Sequence, residues 1–133
     1  MDTLVYSAST FLIPINIAAV NGKYDLMNVY LLLCLTSWAH HSNMHICGEE
    51  SFYDDIDKLM CYIAIYYTLM YALAHMDLIR LVLYCICLLG VFVSFAYVHT
   101  NAHYTVRGIE NWRYHIPHIC MHLSACLGFI VIS

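Results

Sequence analysis

Apolar residues run along this chain in five long blocks separated by short polar interruptions. The blocks cover about Leu4 to Val20, Tyr24 to His41, Asp57 to Ala74, Leu78 to His99 and His115 to Ile132. Each approaches the roughly 17–25 residues that an α-helix needs to cross a bilayer. The runs are continuous rather than alternating, and they exceed the roughly 9–11 residues of a barrel strand, so the pattern predicts helices. Asn21-Gly22 and His75-Met76-Asp77 are tight turn signals, so the helices they join are antiparallel neighbours. Pro14 predicts a kink in the first helix. Two longer polar stretches remain. One runs from His40 to Glu50 and leads into an acidic patch of Glu49, Glu50, Asp54, Asp55 and Asp57. The other, Thr100 to Tyr114, holds Arg107, Glu110 and Arg113. The expected fold is all-α, a polytopic transmembrane bundle of about five helices, with residues 1–133 as one domain.

Composition points the same way. Of the 133 residues, 62% are hydrophobic and 11% are charged, against about 25% charged in soluble domains. Lipid is the solvent that accepts such a surface. Only five residues are Lys or Arg and the net charge is -4, which excludes a nucleic-acid footprint. Lys23 is the first basic residue, so the opening apolar run reads as a retained helix rather than a cleaved signal. The basic residues are too few to orient the chain by loop charge. Tyr53, Tyr97, Tyr104, Tyr114 and Trp112 fit an interfacial aromatic belt. Six of the seven cysteines lie in apolar runs, where Cys packs as a small hydrophobe, so no disulfide framework is expected.

Ionisable groups at membrane depth are costly and mark function. Ser37 and His41 lie four residues apart, on one helix face. Asp57, with Asp54 a turn before it, opens the third predicted helix, and His118 and His122 open the fifth at the same i, i+4 spacing. The second helix ends on the membrane face where the third begins, the fourth returns to that face, and the fifth starts there. Ser37, His41, Asp57, His118 and His122 therefore share one leaflet. Three imidazoles with one open position make a catalytic zinc site, with a carboxylate and a hydroxyl in supporting roles. Of nine histidines, His41/His45 and His99/His103 repeat the i, i+4 spacing. His40 and His45 are expected in the loop or at the headgroups, His99 and His103 at the interface, and His75 on the opposite face. Asp54 is the rival of Asp57, and both also suit a helix N-terminus. Ser37 could equally bond its own helix backbone.

The pattern Ser37-x-x-x-His41, then Asp57, then His118-x-x-x-His122 resembles the CREST superfamily of membrane hydrolases, which includes alkaline ceramidases, progestin/adipoQ receptors and myomaker-like proteins. The stretch from Trp112 to Leu127 (WRYHIPHICMHLSACL) carries most of the resemblance. It implies that His41, His118 and His122 bind Zn2+ and that Ser37 and Asp57 support the zinc-bound water. The implied substrate is a membrane lipid with an amide or ester bond, as in ceramide. Family members usually have seven helices. The two absent here would fall between the third and the last, and an even number preserves sidedness. Receptor-like, membrane-remodelling or metal-stapled roles without catalysis stay open, as do a haem-binding electron-transfer bundle and a second copy of the chain as partner.

Overall fold

A computed structural model describes residues 3–47, 52–101 and 112–133. Among the described residues all regular structure is helical. The chain opens with α1 (Thr3–Ala8), a 3₁₀ turn (Ser9–Phe11) and α2 (Leu12–Val20), which join into one rod. It continues through α3 (Tyr24–Cys47), α4 (Phe52–His75), α5 (Leu78–Asn101) and α6 (Trp112–Ile132). The five predicted helices thus correspond to five rods, with altered ends.

The first rod shows what Pro14 does. Proline has no N–H, so the carbonyl four residues earlier loses its helical donor. That carbonyl belongs to Thr10, in the 3₁₀ turn, and the Cys126 thiol of α6 donates to it at 3.4 Å. Ser9 and Thr10 hydroxyls donate back to Val5 and Ser7 carbonyls, and the Cys34 thiol reaches the Ala8 carbonyl at 3.7 Å. The irregular turn is therefore tied to both α3 and α6 through its own backbone.

Both short turns form as the sequence signals. Gly22 adopts φ +70°, and the Lys23 and Gly22 amides bond the Ala18 and Ala19 carbonyls, the two bonds of a Schellman cap. Asp77 caps α5 by accepting the Arg80 amide at 2.9 Å. The predicted loop from His40 is different: α3 continues to Cys47, and α4 begins at Phe52, before the acidic pair. No Gly or Pro interrupts residues 23–47, so polarity alone does not end the helix. Asp57 consequently lies in the second turn of α4 rather than at its start. Asp54 and Asp55 occupy the first turn, where the dipole favours them.

Among the described residues, two helices are long and apolar enough to cross a membrane, Leu78–Val98 and His115–Ile132, and Leu4–Val20 is a shorter apolar stretch. α3 and α4 fall short because their facing ends carry the polar and acidic residues. Of the Leu78–Val98 span only Tyr84 is buried, and most of its residues are exposed, Leu78 and Ile79 by about three-quarters.

α5 packs along α6, α3 packs on α4 and on the first rod, and α4 barely touches α5. Close α5–α6 approach needs a small residue: a Cβ at Gly90 would sit 2.8 Å from Ser124 Oγ. Tyr30 of α3 stacks on Phe129 of α6 at 4.3 Å. Lys23 Nζ donates to the Ile132 carbonyl at the end of α6. Across the α4–α5 gap, the Thr68 hydroxyl donates to Ala64 and accepts from the Tyr84 hydroxyl at 2.7 Å. We expect Gly90→Val to force α5 off α6 and cost about 1–3 kcal/mol. Thermal unfolding in detergent micelles measures this; an unchanged midpoint would show that the seam is looser than described.

Candidate metal centre

Three histidines meet inside the bundle. His41 comes from α3 and is fully buried; His118 and His122 come from successive turns of α6 and are also buried. One ring nitrogen from each lies within 4.8 Å of the other two. The ring centres form a nearly equilateral triangle, 4.9 Å for His41–His118, 4.9 Å for His118–His122 and 5.3 Å for His41–His122.

That triangle can be compared with what a metal requires. Zinc binds imidazole at about 2.0–2.1 Å in tetrahedral geometry, which puts ring centres about 5.2 Å apart and ligand nitrogens about 3.3 Å apart. The ring centres already stand at that spacing. Chemistry agrees with geometry, because neither ring nitrogen of buried His41 has a hydrogen-bond partner. Buried polar atoms are normally satisfied, and a nitrogen left bare invites an explanation such as an ion. The three residues therefore fit a single cation. They do not fit haem between paired axial histidines, because converging rings at this spacing leave no slot for a macrocycle.

A cavity of about 600 Å³ opens beside the triangle, within the range of ligand pockets. Ser37, Asp57, His118 and His122 line it. Most of the remaining lining is apolar, including Leu88, Phe92 and Phe95 of α5 and Ile65 of α4. This space exists because α4 and α5 diverge. Ser37, one turn before His41, is buried. Asp57 is half-buried and accepts a bond from the Thr36 hydroxyl at 3.3 Å. Asp54 also lines the cavity, but its carboxylate is already engaged by Lys58 Nζ at 2.5 Å and faces His40 at 3.9 Å. All five predicted site residues are thus at the cavity or the triangle, with the three histidines in mutual reach.

Several other expectations change. His40 is not a loop residue; it is buried in α3, its ring 4.9 Å from that of His41. His75 stands apart, as expected, stacked on Tyr71 at the far end of α4. His45 and His99 lie in α3 and α5, and their side chains, with His103, Tyr104, Glu110 and Asn111, fall outside the described residues. Trp112 and Arg113 open α6 instead of sitting in a loop. The described cysteines, Cys34, Cys61, Cys85, Cys87, Cys120 and Cys126, are free thiols.

One polar contact was invisible in the sequence. Ser7 of α1 lies 2.8 Å from His122 Nδ1, and Phe11 packs its ring 5.5 Å from the same imidazole. A serine 115 positions away in the chain leaves no local spacing signal.

No protein-family model, curated protein or solved structure matches this chain, so the site is read from its own geometry. A metal held here by imidazoles competes with protons, so its affinity falls as pH drops and the ligands protonate. We expect His118→Ala to abolish high-affinity zinc or cobalt uptake by the purified protein. The wild type should lose metal on acidification. Elemental analysis and chelator competition check both; equal metal content in wild type and His118→Ala would overturn the site.

Proposed function

We propose that the protein is a membrane-embedded, zinc-dependent hydrolase acting on the amide or ester bond of a lipid, with ceramide as the type of substrate. The observation that carries this reading is the buried His41–His118–His122 triangle beside a largely apolar cavity that His118 and His122 line. The resemblance of the Ser37, His41, Asp57, His118 and His122 pattern to the CREST superfamily supports the same activity.

The membrane part of the reading rests on α5. A core helix of a soluble protein can be as long and apolar, but it is covered by its neighbours. Here Leu78–Val98 is apolar and mostly exposed outside its seam with α6. Exposed apolar residues continue round the bundle at Ile13, Leu32, Tyr66 and Leu127. A surface of that kind is stable against acyl chains and not against water. We therefore place the five rods in a bilayer as a multi-pass bundle.

Zinc in the triangle would supply a Lewis acid and lower the pKa of a coordinated water to about 7. The chain's own groups do the rest. Asp57, facing the cavity, takes the proton released by the attacking water and passes it to the leaving amine or alcohol. Ser37 donates a hydrogen bond to the oxygen of the scissile carbonyl as negative charge grows there. The walls formed by Leu88, Phe92 and Phe95 hold the acyl chain and exclude water from the reacting bond. The α4–α5 divergence gives a lipid a lateral way in.

The test separates catalysis from a structural metal. We expect Ser37→Ala to retain zinc and lower turnover of a ceramide or acylglycerol substrate by about 10²–10³-fold. Asp57→Asn should retain zinc and lose about 10²–10⁴-fold. Lipid hydrolysis in proteoliposomes, read by mass spectrometry, checks both. Full zinc content with no turnover of any sphingolipid or glycerolipid would leave the metal as a staple between α3 and α6.

A further inference from the structure

Ser7 has only one proton to give. Its hydroxyl stands 2.8 Å from the Leu4 carbonyl and 2.8 Å from His122 Nδ1. A carbonyl can only accept, so that proton goes to Leu4, in the short-range pattern that serine adopts in helices. The Ser7 oxygen is then an acceptor toward His122. For the second contact to be a hydrogen bond, the imidazole must donate, and its proton must sit on Nδ1. A neutral imidazole with its proton on Nδ1 keeps its lone pair on Nε2.

This bears on the metal. Which ring nitrogen binds a cation is set by the hydrogen bond that the other nitrogen makes. We propose that Ser7 is a positioning residue of the metal centre: it locks His122 in the Nδ1–H tautomer and presents Nε2 to the cation shared with His41 and His118. The proposal rests on the metal reading of the three histidines. It also gives the first rod a task beyond packing. Pro14 and the 3₁₀ turn tie this rod to α6 through Cys126 and to α3 through Cys34. Phe11 packs on the same ring that Ser7 orients. The hydroxyl is thereby held at a fixed distance from an α6 ligand. A ligand orienter supplied by a third segment, remote in sequence, makes the centre depend on α1 as well as on α3 and α6.

The test uses the full chain in detergent micelles with cobalt(II) as the metal. Chelator competition should show cobalt bound 10–100-fold more weakly by Ser7→Ala than by wild type, the range typical for loss of an outer-shell partner. Ser7→Thr keeps the hydroxyl and should restore affinity. The d–d absorption of the bound cobalt should shift in Ser7→Ala and return in Ser7→Thr. Nitrogen-15 NMR of the metal-free wild type, labelled at histidine, should place the His122 proton on Nδ1. That measurement does not depend on how any variant folds. A proton on Nε2, or a Ser7→Ala variant that binds cobalt as tightly as wild type, overturns the proposal and leaves the metal site standing. A wild type that takes up no cobalt overturns both.

Discussion

The centre of this bundle is three imidazoles buried together where α3 meets α6. A buried polar group without a partner costs several kilocalories, and neither ring nitrogen of His41 has one. A cation shared with His118 and His122 could compensate it, since one nitrogen from each ring lies within 4.8 Å of the others. The cluster also links α3 to α6. Tyr30 stacked on Phe129 and Lys23 bonded to the Ile132 carbonyl link the same helices at the opposite end. The two helices are thus joined at one end by these contacts and toward the other by the histidines.

The remaining helices shape the space around the site. α5 is drawn against α6 by the Gly90–Ser124 contact and therefore leans away from α4. A gap that would be a packing fault in a core becomes a cavity lined by both polar and apolar groups. The Thr68–Tyr84 hydrogen bond limits how far the two helices separate. A few polar groups among mostly aliphatic and aromatic ones match an amphiphile better than a polar solute.

The reading of the sequence succeeded where periodicity and chemistry were local. Five apolar runs became five rods, and the i, i+4 spacing put His118 and His122 on one face of α6. Tight turns at Gly22 and Asp77 followed from residues with special backbone preferences. It failed where polar residues were taken to mean loop. His40 to Cys47 stays helical, because a helix needs satisfied backbone bonds rather than apolar side chains, and this moved Asp57 a turn into α4. Asp54 and Asp57 could not be ranked from spacing. Only the structure shows that Asp54 is occupied by Lys58 and His40 while Asp57 faces the cavity with Thr36 as its donor.

By itself the sequence determined that the chain is helical, how many rods it forms, and which residues could act as ligands, since these depend on composition and on spacing within one helix. Tertiary structure decided that His41 meets the pair from α6, that a cavity opens beside them, and that Ser7 stands behind His122. Those facts depend on how separate helices are rotated and shifted against each other. Packing sets such relations between residues many tens of positions apart, and no local pattern encodes them.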